Sequence, residues 1–110
     1  MTDQAANYYR AETEDGDVIG DPSEDAIYML LQDLNGIDNT FVTIEPIKPE
    51  HGWYVSIARL SPKEYEVEFR DPETREHELT VQTDTSRIAR DATIWMAQRP
   101  SLPRSPLRDD

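Results

Sequence analysis

Apolar positions recur along this chain with two different periods, and each change of period marks an element. Ile27, Leu30, Leu31 and Leu34 stand at i, i+3, i+4 and i+7, the spacing that lines one face of an α-helix. Asp21 is a competent N-cap, Pro22 suits the first helical position and Glu24 completes a capping box, so the helix is predicted to start there. Asn35-Gly36 predicts its end, with Gly36 in the left-handed cap conformation. A second helix is predicted from Asp84 or Thr85. Ile88, Ala89, Ala92, Trp95 and Met96 form its buried stripe and Pro100 stops it.

Between the two helical patterns the period falls to two. Val42 and Ile44 share one face of the segment Thr40 to Glu45. Trp53, Val55 and Ile57 alternate with Tyr54, Ser56 and Ala58. Tyr65, Val67 and Phe69 alternate with Glu64, Glu66 and Glu68, and Leu79 and Val81 alternate with Glu78, Thr80 and Gln82. These four segments read as half-buried strands, with turns at Ser61-Pro62 and Asp71-Pro72. Matching apolar faces sets Ile57 opposite Tyr65 and Val55 opposite Val67, then Val67 opposite Leu79 and Phe69 opposite His77. A slip of one residue would turn glutamates into the core. The predicted fold is therefore α+β, a four-stranded antiparallel meander with both helices packed on one face. Tyr8-Tyr9-Arg10-Ala11 is a candidate fifth strand, at an edge. Residues 1–100 read as one domain and residues 101–110, rich in Pro, Ser and Arg, as a disordered tail.

Charge adds a strong asymmetry to this pattern. Residues 1–50 hold twelve Asp and Glu against Arg10 and Lys48, whereas residues 51–99 hold nine acids against seven bases, so most of the net charge of −12 lies in the first half. Such a field repels nucleic acid and anionic membrane and steers basic proteins toward the chain. Asp21, Glu24 and Asp25 have local roles at a helix start. The segment Glu12, Glu14, Asp15 and Asp17 has no evident local role and is a candidate partner-binding surface. With no cysteine, the chain has no disulfide, thiolate metal site or cysteine nucleophile. The N-terminus lacks the basic and apolar regions of a secretory signal, and no apolar run approaches the length of a membrane span. The expected location is the cytoplasm.

Candidate chemistry is sparse. Asp15, Asp17 and Gly20 resemble the start of a calcium loop, but the spacing puts Ile19 and Ala26 where oxygen ligands are required, so no metal or other cofactor is expected. His51 lies in a predicted loop, and His77 is predicted on the inward face as a cap over Trp53 or Phe69. Trp53 and Trp95 read as core residues. A histidine base needs an orienting carboxylate and a pocket, and no motif places a nucleophile beside either histidine. Glu64, Glu66, Glu68, Glu76 and Glu78 read as the polar side of a one-sided sheet. Like charges on adjacent strands are unfavourable, so a face holding Glu66 and Glu68 beside exposed Tyr54 and Phe41 is a second candidate partner surface.

The acid-capped helix with its leucine stripe from Asp21 to Leu34 is followed by Gly52-Trp53 and by Tyr65-Glu66-Val67-Glu68-Phe69-Arg70. The closing helix runs from Ile88-Ala89-Arg90-Asp91 to Arg99-Pro100. Over residues 17–100 this order resembles the small immunity proteins of bacterial polymorphic toxin systems, most closely their first-numbered Imm family. The resemblance implies a non-enzymatic inhibitor of one cognate toxin domain, commonly a nuclease or a nucleic-acid deaminase. An acidic protein suits that role as a decoy for a cationic, phosphate-binding groove. Two other readings use the same residues. One is a structural or regulatory protein-interaction module, and the other is a small-ligand enzyme in which His51 or His77 works with a glutamate at the wall of an apolar pocket. The expected partner is a protein with a basic surface, not nucleic acid or membrane.

Overall fold

The computed structural model describes residues 8–99. Pro100, expected to stop the second helix, and the expected tail from 101 to 110 lie outside them. Six strands form one open antiparallel sheet: β1 (Tyr9–Thr13), β2 (Val18–Gly20), β3 (Phe41–Pro46), β4 (Tyr54–Ser61), β5 (Glu64–Asp71) and β6 (Glu76–Gln82). Helix α1 (Glu24–Asp33) connects β2 to β3, and α2 (Thr85–Ala97) follows β6. The spatial order is β2-β1-β3-β4-β5-β6. The fold is thus α+β with two helices, and its sheet has six strands where four or five were expected. The additional strand is β2. The acidic segment after β1 folds back as a hairpin around Gly16, whose φ of 102° suits a residue without a Cβ. With β2 outside it, β1 pairs on both sides and is not an edge strand.

The predicted apolar faces meet in one core. Ile27, Leu30, Leu31 and Leu34 from the first helical segment, Val42 and Ile44 from β3, Val55 and Ile57 from β4, and Tyr65, Val67 and Phe69 from β5 are all buried, with Ile88, Ala89, Ala92 and Met96 from α2. Trp53 lies at the centre, its ring edge-on to Tyr9 at 6.0 Å and to Trp95 at 5.8 Å between centroids. Trp95 is only partly buried and stacks on Phe69 at 5.2 Å.

Both ends of α1 differ from expectation. Ser23 is the N-cap, its hydroxyl accepting from the Ala26 amide at 3.1 Å. Asp21 instead ends the hairpin, with φ of 47° and a carboxylate that accepts from the Tyr8 and Tyr9 amides. Leu34 leaves the helix in an extended conformation, and Gly36 is not left-handed. The Asn35 side chain replaces a glycine cap by accepting from the amides of Ile37, Asp38 and Asn39. At α2 the cap is Asp84, which accepts from the Arg87 amide at 3.2 Å.

Two strand registers also differ. Ile57 stands opposite Val67 and Val55 opposite Phe69. This is two residues from the expected alignment, so every side chain keeps its face, and an irregularity between Arg59 and Ser61 takes up the difference. In the next hairpin Val67 stands opposite Thr80 and Phe69 opposite Glu78. That alignment is one residue away from the expected one and reverses β6. His77, Leu79 and Val81 point to the outer side of the sheet, beside the β5 glutamates, and are exposed. The cause is Arg99. Its guanidinium reaches Asp71 at 2.6 Å and Glu76 at 2.5 Å, and these two acids are paired directly across the turn. Holding Glu76 on the helix side turns the alternate residues of β6 outward.

Candidate functional site

The sheet's outer face is covered by no described element and gathers much of the predicted partner surface. Registers across the strands place side chains in rows. Val18, Glu12, Thr43, Ser56, Glu68 and Leu79 form one row across all six strands. Phe41, Ala58, Glu66 and Val81 form the row beside it. On the other side Tyr54, Arg70 and His77 pair across β4, β5 and β6. Glu12, Tyr54, Glu66 and Glu68 are thus brought onto one surface. Apolar side chains accompany them, with Leu79 56%, Val81 57% and Phe41 39% exposed. With a little over half of each residue in water, Leu79 and Val81 forgo roughly half of the about 1.5–3 kcal/mol that full burial gives, a cost that an apolar contact from a partner would recover.

Glu68 is the polar centre of the face. Its Oε2 accepts from the Tyr54 hydroxyl at 3.1 Å and lies 2.8 Å from His77 Nε2. Partial loss of water, then the hydrogen bond and charge of Glu68, raise the Tyr54 pKa above its ordinary value of 10.0; Arg70 acts weakly the other way. Tyr54 therefore stays a neutral donor at physiological pH. The Glu66 carboxylate, in contrast, makes no hydrogen bond or ion pair with any described residue. A cleft of about 310 Å³ beside His77 is lined by Arg70, Asp71, Pro72, Arg75 and Glu76. Four of those five residues carry a charge. His51 is half-buried at the end of a short 3-10 turn, Pro49–His51.

The remaining predicted residues occupy the β1–β2 turn at one end of the face. Here a correction is needed, because two of these acids do have local roles. Glu14 Oε1 accepts from the Thr40 amide at 2.8 Å and the Thr40 hydroxyl at 2.6 Å, tying the hairpin to the start of β3. Asp15 accepts from the Thr13 hydroxyl at 2.6 Å. Asp17 closes the turn through its backbone, its carbonyl accepting from the Thr13 amide at 2.9 Å. Glu12 and Asp17 keep exposed side chains. Among the described residues no group of three or more His, Cys, Asp or Glu is placed to hold a metal ion, and no helix is long and apolar enough to cross a membrane.

No family model, curated protein or solved structure matches the chain. Its function must therefore be argued from its own surfaces. Leu79, Val81 and His77 belong to the outer face but were assigned inward from sequence. The alternation within β6 favours Leu79 and Val81 inward, and the residue that holds Glu76 there instead, Arg99, lies 23 positions beyond it.

Two carboxylates give the fold a defined acid limb. Bonds from the Thr40 hydroxyl and amide hold Glu14 below the ordinary value of 4.5. Bonds from Arg99 and then Thr74 do the same for Glu76. A carboxyl whose pKa falls on folding binds fewer protons in the native than in the unfolded state. The stability it adds is complete above the unfolded value and is lost as pH drops through the lower folded value. Both groups are exposed to solvent, which limits the size of each contribution. Thermal midpoints should hold steady near neutrality and fall as pH drops below about 4.5. Glu14→Gln combined with Glu76→Gln should flatten that decline, and an equally steep decline in the double variant would remove these two groups as its source.

Proposed function

We propose that this protein is a small binding module whose outer sheet face docks a basic protein, acting as an inhibitor of a nucleic-acid-handling toxin domain in the cytoplasm. The observation that carries the reading is the composition of that face. The carboxylates of Glu12, Glu66 and Glu68 alternate there with the exposed apolar side chains of Phe41, Leu79 and Val81, and no described element covers them. Apolar area supplies affinity, while complementary charge speeds encounter and selects the partner's sign. The similarity in element order to immunity proteins supports the inhibitor role, and the charge of −12 supports a cationic partner.

Co-expression with the toxin-domain product of the neighbouring gene provides the test. The protein should protect cells and co-purify with that product, and association should slow as salt is raised. Reversing three acids together, as Glu12→Lys, Glu66→Lys and Glu68→Lys, should abolish both protection and co-purification while the circular dichroism spectrum stays that of the parent. If the parent protein neither protects nor co-purifies, the reading fails.

A further inference from the structure

The two edges of the sheet differ in a way that bears on how a partner would bind. β2 is three residues long and ends at Gly20-Asp21-Pro22, so it offers little to pair with. β6 runs for seven residues, Glu76–Gln82, and among the described residues pairs only with β5. Such an edge presents a row of unpaired backbone donors and acceptors, which proteins commonly blunt with proline, lysine or a bulge. β6 contains no proline, glycine or lysine and its pairing with β5 runs without a register shift; the charges it carries toward the helix side, Glu76 and Glu78, are both acidic and repel an acidic strand more than a basic one.

Neither face of β6 is closed. On the outer side Leu79 and Val81 are more than half exposed. On the helix side an open cleft of about 420 Å³ lies between Thr80, Gln82, Asp84, Arg87 and Asp91. One strand inward from Val81 and Leu79 stand Glu66 and Glu68, directly opposite them. A chain added beside β6 would set its outward side chains next to Leu79 and Val81, with the two carboxylates about 10 Å from its own axis. Arginine or lysine at those positions could lay its aliphatic stem over the apolar pair and carry its charge to Glu66, whose carboxylate has no partner among the described residues. A second copy of this chain is the poorer occupant, because it would bring another charge of −12 to the edge.

We infer that β6 is a strand-addition edge that receives an extended segment of the partner carrying Arg or Lys at every second residue. This rests on the reading of the protein as a binder of a basic partner and names the element of that partner that is recognised.

The probe is a capped peptide of about eight residues alternating arginine and threonine, compared with a peptide of the same composition whose arginines form one block. The alternating peptide should bind more tightly and slow hydrogen exchange at β6 amides. Leu79→Lys and Glu66→Lys should each weaken it by about tenfold or more. Asp33→Lys, an equal charge change at the end of α1, should alter binding by no more than about twofold, and melting midpoints should confirm that each variant folds. The inference is overturned if β6 amides gain no protection, if the block peptide binds equally well, or if Asp33→Lys is as damaging as Glu66→Lys. It is also overturned if sedimentation shows the protein already dimerised through β6. Should the toxin domain be captured while β6 amides gain no protection in that complex, the edge is not used and docking on the face stands without it. Should the peptide pair with β6 while no toxin domain is bound, the edge stands and the inhibitor reading falls.

Discussion

Replacing Asp71 by alanine is expected to lower folding stability by about 3–5 kcal/mol, the usual cost of stranding one charge of a buried ion pair. Asp71 and Arg99 have side chains only 2% and 5% exposed, joined at 2.6 Å. The guanidinium also lies 4.0 Å from the Trp95 ring centre, and its Nε has no hydrogen-bond partner among the described residues. Little water can reach Arg99 to compensate for the lost carboxylate. Glu76 would remain beside it, but its side chain is 46% exposed and shares its charge with solvent, so the loss should fall toward the lower end of that range. Asp71 also accepts from the Glu73 amide at 3.0 Å, and the variant forfeits this turn contact as well. Urea unfolding measures the change, and a loss below about 1 kcal/mol would mean that the pair behaves like a surface salt bridge. Replacing both partners by apolar residues of similar volume should recover much of the loss, because no buried charge is then left alone. The consequence for binding is specific. With Asp71 gone, Arg99 holds the turn between β5 and β6 through Glu76 alone, so the outward placement of Leu79 and Val81 loses one of its two anchors.

The second large effect is expected at Trp53. Substitution by alanine should cost about 3–5 kcal/mol, the range for removing a large aromatic side chain from a packed core. Trp53 is 2% exposed, and its ring joins the two layers of the structure, meeting the sheet at Tyr9 of β1 and the helices at Trp95 of α2. Each edge-on aromatic contact adds about 0.5–1.5 kcal/mol beyond the area it buries. Domains of this size hold roughly 5–15 kcal/mol in total, so this single change would consume a large share of it. Thermal unfolding should show a midpoint lowered by more than about 10 °C. Trp53→Phe, which keeps a ring edge in the same place, should cost much less, and an equal loss in both variants would show that ring packing is not what Trp53 contributes.

The parts of the fold that were legible in the sequence are those whose side chains carry their own evidence of burial. Ile27, Leu30 and Leu31 are spaced for one helix face and are buried on it, and the alternation of Val55 and Ile57 with Tyr54 and Ser56 predicts their faces correctly. Central strands have a core on one side only, so a wrong face there would bury glutamates and is strongly selected against. The acids Glu12, Glu66 and Glu68 were readable as surface residues for the same reason. Glu14 and Asp15 were not readable as structural, because their partners are a threonine 26 positions away and a threonine hydroxyl two positions back, contacts that no local pattern announces.

The sequence by itself determined the two helices, the inner faces of β3, β4 and β5, and the acidic balance of the chain. These follow from local periodicity and from charge, which are properties of the chain before it folds. Only the tertiary structure decided the position of β1 inside the sheet, the existence of β2 and the orientation of β6. An edge strand has too little burial to specify its own face, so a contact between distant residues settles it, and here that contact is Arg99 with Asp71 and Glu76. The same contact places Leu79 and Val81 beside Glu66 and Glu68, and so creates the mixed apolar and acidic surface that the chain, read residue by residue, assigned in separate halves to the core and to solvent.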